Sequence, residues 1–116
     1  MRHSTGNRTK AEQARFDKMK EMGVCMACYL GGIKDDGYHI EIHHLLSGNK
    51  RIGHMATVSL CIWHHRGKSS FFTKDYMTRK FGPSLAHGSK PFRAEFGTDK
   101  ELLDMQNEFL GVTDGN

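Results

Sequence analysis

A chain of 116 residues and 13.2 kDa is one domain's worth of sequence and excludes a second folded domain. Hydrophobic residues make up only 37% of it and glycine fills 13 positions, so the core is expected to be thin. The net charge of +4 hides a segregation: residues 1–20 carry six Lys/Arg against two acids, 50–93 carry nine against Asp75 alone, and 94–116 carry Lys100 against six acids. A polyanion bound along the central segment and the N-terminal arm is the natural partner for that distribution, the bland alternative being an ordinary basic surface.

Residues 1–8 are polar and basic and read as an arm. Thr9 with Glu12 forms a capping-box pattern for a helix over 10–22 that stops at Gly23, though without an apolar stripe like that of the last helix. The longest apolar run, 24–30, has seven residues against the roughly 20 that cross a bilayer, and no apolar segment follows the basic start as in a signal peptide. The reading is a soluble chain with no membrane contact. Glycines mark turns at 31, 32 and 37, after which Tyr38, Ile40 and Ile42 alternate with His39, Glu41 and His43 as in a half-buried strand ending at His43-His44. Residues 47–53 read as a basic loop and Val58 to Leu60 as a second strand, the two strands forming a hairpin. Ser69 or Ser70 can cap a helix running to about Lys80, Pro91 suits the first turn of another ending at Gly97, and Thr98 with Glu101 opens the last. That helix places Leu102, Leu103, Gln106, Phe109 and Leu110 on one face, which reads as core.

Three cysteines cannot all pair as disulfides, and Cys25-x-x-Cys28 followed after 32 residues by Cys61-x-x-His64 has the spacing of two zinc knuckles closing on one ion. Three thiolates and an imidazole leave no position for substrate, so such a site is structural, with His65 an alternative to His64 as fourth ligand. A hairpin pinned in this way brings its two ends together, so His43, His44 and His65 should converge despite the 20 residues between the last two. That second site is open. One imidazole activating water beside others holding a metal is the division of labour a phosphodiester nuclease needs.

Cys25-x-x-Cys28, His43-His44 and Leu60-Cys61-x-x-His64-His65, in this order, resemble the zinc-stapled HNH, or ββα-metal, endonucleases. The closer resemblance is to the phage Ref-type nucleases, which act with the host recombinase RecA. It rests on Ile42-His43-His44, Cys61-x-x-His64-His65, His87 and the segment from Phe96-Gly97-Thr98 to Glu101-Leu102-Leu103, covers residues 23–110, and includes a basic N-terminal arm. The resemblance implies an α+β fold: a small zinc-stapled ββα-metal domain over 23–116, with flanking helices, preceded by an arm and short helix over 1–22. It also implies metal-dependent DNA cleavage in the cytoplasm of a bacterial host cell, with DNA and a RecA filament as partners. By carry-over His43 is a catalytic metal ligand, His44 the general base, and His65 and His87 further metal ligands.

Two departures stand out. His43 replaces the Asp that many relatives carry, and imidazole suits Mn, Ni, Co or Zn better than Mg, which leaves the catalytic metal open among them. The middle Asn of the motif is missing, and Thr57 is the residue there that can offer a hydrogen-bonding side chain. Phosphate contacts are assigned to Lys50, Arg51, Arg66, Lys68, Arg79 and Lys80. His54, in the basic loop, reads as a phosphate contact, and Trp63 as a packed knuckle residue. The rivals are a zinc-knuckle binding module without catalysis and a nuclease directed at RNA.

Overall fold

The structure, a computed structural model, describes residues 8–32, 40–47, 50–69 and 72–111; the readings made for the arm at 1–7, for Tyr38 and His39 and for Ser70 fall outside these. Thr9 opens α1 (Lys10–Met22) through the expected reciprocal cap, Thr9 Oγ1 accepting from Glu12 N at 3.1 Å and Glu12 Oε1 from Thr9 N at 2.8 Å. Gly23 closes it at φ 63°, a left-handed position that a side chain disfavours. The helix does have a core face: Phe16 and Met19 are buried with Leu110, and Ile42 packs against them. Two large side chains one turn apart were too short a pattern to register as a stripe, yet they are enough to dock a helix on a sheet.

A single-turn helix, α2 (Met26–Leu30), follows, with Cys25 as its cap and Cys28 within it. Strand β1 (Ile40–His44) pairs antiparallel with β4 (Thr57–Cys61), Ile40 opposite Cys61 and His44 opposite Thr57. The tip is not the plain loop expected over 47–53. There β2 (Leu46–Ser47) pairs with β3 (Lys50–Arg51), and Leu45 bridges the two ladders, its N–H donating to Ala56 O and its carbonyl accepting from Ile52 N. Gly53, His54 and Met55 are therefore thrown out of the return strand as a bulge.

All five residues of β4 are buried although the sheet has only two strands. The reason lies in α6 (Asp99–Leu110), which lays Leu102, Gln106 and Leu110 inward; Gln106 Oε1 accepts from Ser59 N at 2.7 Å and so satisfies the edge that β1 does not cover. The last helix thus behaves as its periodicity predicts, capping box included. Between the hairpin and α6 come α3 (Ile62–Arg66), α4 (Lys74–Phe81), a 3₁₀ turn (Leu85–His87) and α5 (Ser89–Phe96). Helix α4 starts later than the sequence reading has it: Thr73 is the cap, accepting from Tyr76 N, while the Ser69 hydroxyl closes the preceding turn by accepting from Phe72 N. The class is α+β, and the main core gathers around Cys25, Cys28, Leu60, Cys61, Trp63, Phe92 and Phe96. Among the described residues no helix is long and apolar enough to cross a membrane.

Candidate metal centre and histidine cluster

The four knuckle residues converge in the interior. Cys25 caps α2 and Cys28 lies on its turn, Cys61 ends β4, and His64 follows one turn into α3. His64 Nδ1 lies 3.3 Å from Cys61 Sγ, 3.5 Å from Cys28 Sγ and 3.6 Å from Cys25 Sγ; the Cys28 and Cys61 sulfurs are 3.8 Å apart, and all four donor atoms fall within 4.8 Å of one another. Donors about 2.0–2.3 Å from a tetrahedral zinc are themselves about 3.5–3.8 Å apart, so the set fits that ion. The gathered imidazole is His64, not His65. Its Nε2 meets the Phe81 carbonyl at 2.8 Å, and since a carbonyl can only accept, that nitrogen carries the proton and Nδ1 faces the sulfurs.

The electrostatics agree with a cation site. Burial pushes the His64 imidazole down, but the Cys25 and Cys61 sulfurs outweigh it and hold the group up at about 10. The Cys61 sulfur is driven below the ordinary thiol range by hydrogen bonding with Cys25 and Cys28, with His64 adding to the effect, while Cys25 and Cys61 drive Cys28 up. One sulfur thus ionises at the expense of another, a conflict that a dication relieves. Trp63 is buried, donating from Nε1 to Gly82 O at 3.0 Å, which makes it the packed knuckle residue expected of it.

The remaining histidines divide over two faces of β1, because successive strand residues point to opposite sides. Glu41 and His43 face α3, where the His43 and His65 rings lie 5.2 Å apart. His65 Nδ1 is held at 2.8 Å by Glu41 Oε1, which also takes Arg66 Nε at 2.8 Å. A carboxylate only accepts, so His65 keeps Nε2 free, the carboxylate–imidazole arrangement common behind metal ligands. Ile42 and His44 face α1. There His44 Nε2 lies 2.9 Å from His54 Nδ1, and Phe16 meets both rings edge-on. Arg8 stacks its guanidinium 5.1 Å over Phe16 on the same side. The expected convergence thus holds for His43 and His65, whereas His44 flanks them from across the strand.

Burial, with His65 next, brings the His43 imidazole down to about 4 against the opposing pull of Asp99. Burial also brings His44 down to about 4, with Arg51, His54 and Arg8 adding to the effect. Both rings are neutral at pH 7 and hold lone pairs, as a ligand or a base must. His87 stands apart on the 3₁₀ turn, 5.3 Å from Trp63 and against Gly67, where a Cβ would fall 2.6 Å from His87 Nε2. Among the described residues, Cys25, Cys28, Cys61 and His64 form the one group of three or more such ligands whose donor atoms gather.

The six residues assigned to phosphate are all exposed: Lys50 and Arg51 on β3, Arg51 acting on His44; Arg66 and Lys68 at the end of α3; and Arg79 and Lys80 on the last turn of α4. Arg66 is engaged by Glu41. His54 is not the solvent-facing phosphate contact expected, being 3% exposed, because the bulge turns it inward. Thr57 is fully buried; its Oγ1 donates to His54 O at 2.9 Å and accepts from Arg15 Nε at 2.9 Å. Glu41 and Arg15 went unassigned in the sequence, and His54 was assigned to phosphate. For Glu41 the signal was there, two residues before His43 on the same strand face; for His54 and Arg15, which meet the site through a bulge and a helix packing, no local pattern exists.

No curated protein sequence matches the chain. A family model described as recombination enhancement, RecA-dependent nuclease matches residues 8–111. That span takes in Cys25, Cys28, Cys61 and His64, the whole hairpin and every helix from α1 to α6. The chain belongs to this family of RecA-dependent nucleases.

Proposed function

We propose that the protein is a metal-dependent endonuclease of the HNH type that hydrolyses DNA phosphodiesters in concert with RecA. The observation that carries the reading is the end of β1: two neutral histidines, one paired with the Glu41-tethered His65 and the other close to exposed Arg51. His44 takes the proton of the attacking water, whose oxygen forms the bond to phosphorus in line with the departing ester oxygen. Lys50, Arg51, Arg66, Lys68, Arg79 and Lys80 hold the strand by its phosphates and read no sequence, so targeting falls to the partner. His43 and His65, with His87 as a third, would hold the divalent cation, drawn from Mg, Mn, Ni, Co or Zn. When bound, it stabilises negative charge on the phosphate oxygens. Zinc in the Cys25, Cys28, Cys61 and His64 centre would be structural, with no open position.

The distance of His87 from a gathered donor set favours one rival, a non-catalytic zinc-knuckle module that binds nucleic acid. His44→Ala separates the two. General-base catalysis contributes roughly 10²- to 10⁴-fold, so the variant should lose nicking of RecA-coated duplex DNA by that factor while melting and binding stay as in the wild type. A folded His44→Ala protein that nicks at the wild-type rate overturns the reading.

A further inference from the structure

The bulge at 53–55 does more than relieve strand register. A polar side chain in an exposed bulge ordinarily turns to water, yet His54 is 3% exposed. Its Nδ1 is engaged by His44 Nε2 at 2.9 Å, and its Nε2 is buried with no hydrogen-bond partner among the described residues. A nitrogen buried without a partner is destabilising, a penalty that Leu or Met in the same space would avoid. The backbone is clamped at the same point: Thr57 Oγ1 donates to the His54 carbonyl, and Arg15 grips Thr57 with Nε on Oγ1 and Nη2 on the carbonyl at 2.6 Å while Nη1 reaches Asn107 Oδ1 at 2.7 Å. Among the described residues this buried guanidinium meets no carboxylate, and its bonds serve to fix the bulge. Phe16 closes the remaining side of both rings.

We infer that His54 is a positioning residue for His44: by occupying Nε2 it fixes the imidazole so that Nδ1 alone is offered to the reacting water. The inference rests on the reading of His44 as the base. The proton accounting gives it content. The proton shared between His44 Nε2 and His54 Nδ1 can sit on either nitrogen. With the His44 proton on Nε2, that N–H donates to His54 Nδ1, His54 keeps its own proton on Nε2, and His44 Nδ1 has a lone pair for the water proton. With the shared proton on His54 Nδ1 instead, His44 carries its own on Nδ1 and has no lone pair left. Only the first arrangement is competent. Once His44 has taken the water proton, its Nε2–H donates to His54 Nδ1 in a charge-assisted bond, the water oxygen is bonded to phosphorus, and the leaving ester oxygen departs with the bonding pair and is protonated by solvent.

The test uses the full chain with His54→Leu, which fills the space without an acceptor, and His54→Asn, whose Oδ1 replaces Nδ1 as acceptor. Loss of an outer-shell partner typically costs about 10–100-fold. His54→Leu should lose that much in kcat on RecA-coated duplex, with KM unchanged and the melting temperature no lower, and His54→Asn should recover most of it. Imidazole ¹⁵N shifts of the wild-type protein should show His44 protonated at Nε2 and bare at Nδ1. Full activity in His54→Leu, equal losses in both variants, or a His44 proton on Nδ1 would each overturn the inference. If His54→Leu does not fold, the ¹⁵N assignment decides alone. Activity in His44→Ala refutes the base itself, whereas an inactive His44→Ala beside an active His54→Leu refutes only this role for His54.

Discussion

At the β4 end of the hairpin three sulfurs and His64 Nδ1 face one another in the interior, and the second nitrogen of His64 is tied to Phe81. At the β1 end His43, His44 and His65 stand half-buried; His65 and His44 each have one nitrogen held, by Glu41 and His54, and one with no partner among the described residues. The same residue type is thus used in two ways within one ββα unit. A ring with both nitrogens committed contributes stability, whereas a ring with one nitrogen committed is oriented and still reactive. The difference is set by what surrounds each ring: Phe92, Phe96 and the three cysteines around His64, against charged Glu41, Arg51 and Arg66 around the others.

The sharpest way to break the contrast is to strike the closed end. Structural zinc contributes roughly 10–16 kcal/mol in small modules, as much as the roughly 5–15 kcal/mol net stability of a whole domain. Cys28→Ser should therefore leave the chain unfolded at 25 °C, and a chelator should do the same to the wild type. Thermal melts followed by circular dichroism check both, and a melting temperature unmoved in either experiment would mean that the cysteines hold no metal.

The open end should respond in the opposite sense, in activity and not in stability. Glu41→Gln removes the carboxylate behind His65, and outer-shell losses cost about 10–100-fold in metal affinity or activity. The divalent cation concentration giving half-maximal nicking should rise by about that factor, with melting unchanged. A variant that melts early at unchanged cation dependence would place Glu41 with the structural residues.

The two ends also differ in how much of them a reader of the sequence alone can see. The closed centre is written as two short spacings, and the capping boxes at Thr9 and Thr98 give helix starts to the residue because their information is local. His54 and Arg15 are different. Their neighbours are fixed by where α1 packs and by a three-residue bulge, long-range facts that leave no periodicity. The late start of α4 has a local cause, two hydroxyl residues four apart competing to cap, of which Thr73 wins.

A smaller effect sharpens the comparison from the side of the partner. Deleting residues 1–8 removes Arg2 and Arg8, the latter stacked on Phe16 beside His44. Each phosphate that is no longer neutralised lowers the slope of log affinity against log salt by about 0.9, so binding to naked duplex should fall by up to about 2 in slope, with cleavage retained at low salt. An unchanged slope together with loss of RecA-stimulated cutting would assign the arm to the recombinase.

The smallest effect concerns a cap remote from both ends. Glu101 Oε1 accepts from Thr98 N at 2.8 Å, and this backbone bond, with the Thr98 side chain adding to it, holds the carboxyl below its usual range. A folded-state value lower than the unfolded one means that the contribution is complete above the unfolded carboxylate range, near pH 4.3, and disappears as pH falls through the folded value. The acid limb of the stability curve should therefore steepen below about pH 4 for this reason among others. Glu101→Gln keeps a side-chain acceptor in the capping box but cannot titrate. Urea midpoints measured from pH 7 to pH 3 should show the variant close to the wild type at neutrality and less acid-sensitive below pH 4. Parallel curves over the whole range would remove Glu101 from the acid response, and neither result would touch the metal centre or the histidines, since the cap meets neither.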